Sequence, residues 1–372
     1  ACVADGPAGL QVIDVSDPLA SSILGNVDTP DDARDVALSG AIAYVAADYL
    51  GLYVIDVSDP ADPAVLSSVD PPGHAYGVAV SDDHAYVVGP FSGLQVIGVS
   101  DPANPTIIGA VETPGTGKDV AVVGDIAYVA GFDSGLQVID VSEPVNPTIV
   151  GAADTPGLAY DVAVSGAIAY VADGDSGLQV IDVSDPALPY ILGSVDTPGE
   201  AAGVAISGSY AYVADGPSGL QVIDVSDPEH PFITGTVDTP DHASDVDVDG
   251  TIAYVADGYL GGLEVIDVRT PATPSIIGSL ESPGALTGGV AVSVVTVYVA
   301  NDEYGLQVID VSSCIDDPCP PDMNDDETVD SDDLFQLLGS WGPCSECPED
   351  LTGDDMVNSD DLFELLSFWG DC

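Results

Sequence analysis

Up to about residue 313, apolar residues come in short runs of Val, Ile, Ala, Tyr and Leu, each closed by turn chemistry. From residue 161 one stretch reads DVAVSG, AIAYVADGDS, GLQVIDVSD and PALPYILGSVDTPG. β-Branched and aromatic runs bounded by SG, DG, SDP and DTPG are strand signals, and the alternation in LQVIDV predicts one apolar face. The phrase GLQVIDVSDP, or a close copy, starts at Gly9, Gly51, Gly93, Gly135, Gly177, Gly219, Gly262 and Gly305, in five steps of 42 residues and two of 43. Four strands per repeat of that length predict an all-β chain, a β-propeller of four-stranded blades. A helical solenoid would need a period of 3.6 and far less than the 41 Gly and 29 Pro present. Eight phrases favour eight blades. Because the first unit lacks its opening strand and the last its closing one, seven blades with displaced N-terminal strands is the alternative.

A Tyr recurs at one slot of the repeat, as Tyr44, Tyr86, Tyr128, Tyr170, Tyr212, Tyr254 and Tyr298, with Cys2 in that slot of the first unit. Such regularity predicts packing between blades. The phrase, followed by a PTIIG-like strand, resembles the LVIVD-repeat family of bacterial surface or secreted proteins, over residues 1–313. That resemblance implies a propeller and carries little chemistry with it.

From Cys314 the pattern changes. After a linker at 314–321, residues 322–372 contain two similar halves 28 residues apart, each an acidic loop leading into LFxLLxxWG, an apolar stretch suited to a short helix. Oxygen donors at loop positions 1, 3, 5, 7, 9 and 12 suit Ca²⁺. They fall on Asp322, Asn324, Asp326, the Thr328 carbonyl, Asp330 and Asp333, and then on Asp350, Thr352, Asp354, the Met356 carbonyl, Asn358 and Asp361. Position 6, where a sharp bend favours Gly, is Glu327 and Asp355, and Thr352 is a weaker donor, so the first loop is expected to hold calcium more tightly. The pair resembles a type I dockerin, an EF-hand-like module. The resemblance implies a small α-helical tail that docks a cohesin-type partner through Ser331, Asp332, Ser359 and Asp360. Cys319 to Cys344 and Cys347 to Cys372 each span 25 residues and bracket one half, which predicts two disulfides in a unit with little core. If the propeller ring closes, Cys2 and Cys314 share a face, and a third bridge between them becomes feasible.

Charge narrows the partners. With 63 acidic side chains against three basic ones, Arg34, Lys118 and Arg269, the net charge is −60. Such a field repels phosphate backbones and anionic headgroups, which argues against nucleic acid and membrane surfaces. No apolar run is long enough to cross a bilayer. The clustered cysteines point to an oxidising compartment, hence to an extracellular or cell-surface setting. The chain starts at Ala1, as a mature form or a fragment does.

Candidate chemistry is sparse. GDSG at 174–177 looks like a protease nucleophile stretch, but the matching slots read DYLG, PFSG, FDSG and GPSG, and no His follows the repeat to activate Ser176. One repeat position ahead of the innermost strand carries Asp35, Asp119, Asp161 and Asp245, with Gly77, Gly203 and Gly289 in other units. In a propeller this is a partial carboxylate ring at the channel mouth or a set of turn caps. Loops between second and third strands carry Tyr49, Phe91, Phe132, Tyr259 and Tyr304, the raw material of a ligand face. The reading is a non-catalytic binding protein: a propeller presenting a ligand face, with a tail for Ca²⁺-dependent attachment to a cohesin-type or other surface protein. Two alternatives stand beside it, a lactonase-like propeller hydrolase and a purely structural surface protein.

Overall fold

The computed structural model describes residues 2–5, 11–14, 29, 31–59, 62–258, 262–280, 289–293, 296–301 and 305–310, together with the pairs 328–329, 342–343, 356–357 and 370–371. The chain divides into two compact units, Ala1–Cys314 and Ile315–Cys372.

In the first unit each complete repeat folds into four antiparallel strands in chain order. Blade 1 comprises Asp35–Ser39, Ile42–Ala46, Leu52–Asp56 and Ala64–Val69. Blades 2 to 6 start from the inner strands Gly77–Ser81, Asp119–Val123, Asp161–Ser165, Gly203–Ser207 and Ala243–Asp249. Each inner strand packs on the next around the axis. Among the described residues there are six four-stranded blades, neither eight nor seven.

The eight-blade count fails because the first and eighth phrases lie in one sheet. Gln11–Asp14 runs parallel to Gly305–Asp310, with Gln11 opposite Gln307 and Asp14 opposite Asp310. That sheet has five strands, Val290–Ser293, Thr296–Asn301 and Gly305–Asp310 joined by Cys2–Asp5 and Gln11–Asp14. Its N-terminal strands pair in parallel, Val3 with Val299 and Gln11 with Gln307. Val290–Ser293 packs on both Ala243–Asp249 and Asp35–Ser39.

Blade stacking also revises the expected single apolar face. In blade 3 the strand Leu136–Asp140 is buried on both sides, at Leu136, Gln137, Val138 and Ile139 alike, because a neighbour covers each face. The core is therefore a series of interblade layers. Tyr128, Leu136 and Val138 of blade 3, for instance, meet Val162, Val171 and Ile181 of blade 4. Each Val, Ile or Leu so buried stabilises by roughly 1.5–3 kcal/mol. Tyr44, Tyr86, Tyr128, Tyr170, Tyr212 and Tyr254 are all nearly inaccessible. Tyr44, Tyr86, Tyr128, Tyr170 and Tyr212 each pack in a cluster with residues of the following blade. Outer strands such as Thr148–Ala153 face solvent.

The described residues of the second unit contain no helix. Those of the second unit form two short antiparallel ladders, Thr328–Val329 with Gly370–Asp371 and Gly342–Pro343 with Met356–Val357. The LFQLL and LFELL stretches, the other calcium donors, Ser331, Asp332, Ser359, Asp360 and the tail cysteines lie outside the described residues, as do Cys314, Tyr259 and Tyr304.

Candidate ligand site at the channel mouth

Asp35, Asp119, Asp161 and Asp245 lie at the inner ends of blades 1, 3, 4 and 6 and converge on the axis, where they line two cavities. On one side the ring opens to a vestibule; on the other it opens to a channel walled mainly by Val and Ala of the inner strands. The carboxylates are staples between blades, not turn caps. Asp161 accepts hydrogen bonds from the N–H of Val162 (2.6 Å) and, across the blade boundary, of Val204 (2.6 Å). Asp35 does the same with Val36 and Val78, both at 2.7 Å, and Asp245 takes the N–H of Val290 at 2.6 Å.

Where the ring has glycine, the next aspartate residue leaves no room for a side chain. A Cβ on Gly77 would stand 2.7 Å from Asp119 Cα, and one on Gly203 would stand 2.7 Å from Asp245 Cα. Burial dominates the ionisation of the ring. It pushes Asp35 and Asp161 up to about 7, and Asp119 and Asp245 well above the usual carboxylate range, with mutual repulsion adding to the rise. Asp119 and Asp161 are the one adjacent pair, and their interaction raises the pKa of Asp119 while opposing the rise at Asp161. Among the described residues, no three acidic, His or Cys side chains meet in metal-holding geometry.

The residues just before the ring form the vestibule wall: Arg34, Tyr76, Lys118 and Tyr160 in blades 1 to 4, then Ala202 and Ser244 in blades 5 and 6. Lys118 Nζ lies over three rings, 4.9 Å from the centroid of Phe132, 5.1 Å from Tyr76 and 5.8 Å from Tyr160. Burial and the nearby Arg34 charge hold the Lys118 ammonium below its ordinary pKa. Arg34 donates to Asp48 (3.0 Å) and Asp32 (3.2 Å), and its guanidinium sits 5.5 Å from the Tyr76 ring. Sequence reasoning missed this wall. Its signal was present: two of only three basic residues stand 84 residues apart, two repeat periods, at one slot.

The loop aromatics rise beside it. Tyr49 and Phe91 are 66% and 93% exposed, and the His74 ring lies between them at 4.1 and 6.2 Å. His74 Nδ1 also meets Asp48 Oδ1 at 2.5 Å. Phe132 stacks edge-on against Tyr160 at 5.4 Å. Its backbone is left-handed, φ 54°, where blades 4, 5 and 6 place Gly174, Gly216 and Gly258. Ser176 serves its turn, its carbonyl accepting from Gln179 at 2.8 Å, as Ser92, Ser134 and Ser218 do for Gln95, Gln137 and Gln221.

Among solved structures, the fold is similar to that of Ika8, a computationally designed protein, at 14% identity over 76% of this chain and 85% of that one, TM-score 0.58. A functionally unknown protein from Desulfotomaculum acetoxidans matches at 14% identity over 75% and 92%, TM-score 0.61. A chain of a mitotic checkpoint complex matches at 12% identity over 75% and 89%, TM-score 0.63. Identities this low speak for the fold alone. The search of curated proteins gave no match. The LVIVD repeat model matches residues 1–29, 30–71, 72–113, 114–155, 156–197, 198–239, 240–281 and 286–314. Its first and last matches are the short ones, the segments that contribute strands to the five-stranded sheet. With repeats matched across nearly all of residues 1–314, the chain belongs to the LVIVD-repeat family.

Proposed function

We propose that this is a non-catalytic binding protein, secreted or held at a cell surface, whose propeller offers the loop face around the channel mouth to a ligand. The observation that carries the reading is the group of rings at Tyr49, His74 and Phe91, with Phe91 93% exposed on a loop between packed strands. Large aromatic rings held in water by a rigid scaffold cost solubility and are the usual anchors of recognition. A screen of soluble glycans and peptides against the native chain and the double variant Tyr49→Ala, Phe91→Ala tests it. A ligand lost by the variant supports the reading; ligands held equally by both, or none in a broad screen, would count against it.

The tail adds attachment. Its two acidic loops, with Asp322, Asn324, Asp326 and Asp330 first among the donors, have the oxygen spacing that suits Ca²⁺, and the resemblance to dockerins supports a cohesin-type or other surface protein as partner. Calcium titration of the EDTA-stripped chain, repeated with Asp322→Ala, Asp326→Ala, is the test. Capture of cohesin-type domains should follow calcium; a chain that takes up no calcium at millimolar concentration would remove this part of the reading.

A further inference from the structure

We infer that the vestibule above the carboxylate ring binds a small organic anion, a carboxylate carried on a ring, with Lys118 and Arg34 meeting the charge and Tyr76, Tyr160 and Phe132 meeting the ring. This deepens the reading of the loop face as a ligand surface and rests on it.

Lys118 is the first reason. In a chain with 63 acidic side chains, its ammonium is half-buried and pairs with no carboxylate among the described residues. Its neighbours are three aromatic faces and a second cation. Cation–π contact supports a lysine, yet burial beside a like charge opposes it, and an incoming anion would relieve both penalties at once.

Phe132 is the second reason, and it is independent. A bulky residue held in the left-handed region is strained. Three other blades avoid that cost with glycine at the same slot, and blade 3 keeps the phenyl ring that closes over Lys118 and Tyr160. Strain persists where something is gained from it.

The floor and the size of the cavity narrow the ligand. Burial raises all four aspartate pKa values, so near neutral pH the floor carries far less negative charge than four free carboxylates would. It then repels an anion little and offers carboxyl O–H donors. The cavity is about 140 Å³, well short of the several hundred typical of drug-sized ligands, which suits a single ring with its acid group. Sugar acids and aromatic acids share that chemistry.

Calorimetric titration of the full chain with glucuronate, benzoate, glucose and benzylammonium tests the proposal. Glucuronate or benzoate should bind at millimolar or tighter affinity, and which of them binds better separates a sugar-acid from an aromatic-acid ligand. Glucose and benzylammonium should bind at least tenfold more weakly. Lys118→Met should weaken the acid on the order of tenfold with an unchanged melting temperature, and Lys118→Arg should keep most of the affinity. Phe132→Gly, which restores the residue that three other blades use, should also weaken it and guards against a Lys118 variant that folds poorly. Equal binding of the neutral or cationic probe, no effect of Lys118→Met in a folded protein, or no binding of either acid would overturn the inference. A ligand that depends on Tyr49 and Phe91 but ignores Lys118→Met would sink this inference alone and leave the loop-face reading standing.

Discussion

Blades 4 to 6 and blades 1 to 3 are written in almost the same letters, yet they build the corner after the second strand differently. In blades 4, 5 and 6 that corner carries Asp173, Asp215 and Asp257, all inaccessible. Each accepts a hydroxyl from the preceding DTP threonine, Thr155, Thr197 or Thr239, at 2.5–2.6 Å. Each also takes a backbone N–H, from Gly157, Gly199 or Asp241, at 2.8 Å. In blades 1, 2 and 3 the same slot holds Ala47, Gly89 and Gly131. Thr29 and Thr113, which would be the partners of an aspartate there, are left with buried hydroxyls that have no hydrogen-bond partner. The loss of that network coincides with the gain of Arg34, Lys118, Tyr76, Phe132 and the Tyr49–His74–Phe91 rings. One arc of the ring is the regular scaffold; the other has given up a stabilising rule where polar and aromatic groups gather. The orphaned threonines are the trace of that exchange.

The contrast can be broken most sharply at the corner itself. Asp215→Ala should destabilise by about 3 kcal/mol in urea unfolding, since it strands both the Thr197 hydroxyl and the Gly199 N–H in the interior. A loss below about 0.5 kcal/mol would show that the network contributes little. Thr197→Val should cost roughly 1–3 kcal/mol by removing a partner of a buried carboxyl, whereas Thr113→Val should be neutral or slightly stabilising. Equal costs for those two substitutions would remove the distinction between the arcs.

Proton linkage gives a smaller, graded test. Asp35 and Asp161 rise from 3.8 in the free side chain to about 7 in the fold, so between those values the native state holds protons that the unfolded chain has released. The native state binding more protons means stability falls as pH rises through that window. The melting temperature should therefore be higher near about pH 5 than near about pH 8, and Asp161→Asn should flatten the slope. A melting temperature that climbs with pH would contradict the burial of the ring.

Smallest is the effect at Glu264. Blades 2 to 5 place Gln95, Gln137, Gln179 and Gln221 at that slot, whereas Glu264 is buried, pushed up to about 7 chiefly by burial, and has one carboxyl oxygen without a partner. The stability tied to its protonated form is full below 4.5 and is lost as pH rises to about 7. Glu264→Gln should accordingly stabilise by about 1 kcal/mol near pH 8 and have little effect near pH 5.

Much of this architecture was legible in the repeat. Strand chemistry, the 42-residue period and the buried Tyr slot each follow from local preference and a single stacking rule. The blade count was not, because counting GLQVIDVSDP treats Gly9 and Gly305 as two units when their strands share one sheet; joining distant ends is a tertiary event that no local pattern encodes. The carboxylate ring was visible as a repeat position, but its role in stapling one blade to the next depends on N–H groups 43 or 45 residues away. Arg34 and Lys118 were noticed as rare charges, not as occupants of one slot, since attention to what repeats passes over what breaks the repeat.

The central claim is that the irregular arc, and not the regular one, meets a ligand. Nuclear magnetic resonance of the intact chain during titration with glucuronate or benzoate tests it most directly. Shifts concentrated at Lys118, Tyr76 and Phe132, with Ala202 and Ser244 across the same mouth nearly still, are the predicted result. Shifts centred on Ala202 and Ser244, or none at saturating acid, would contradict the account.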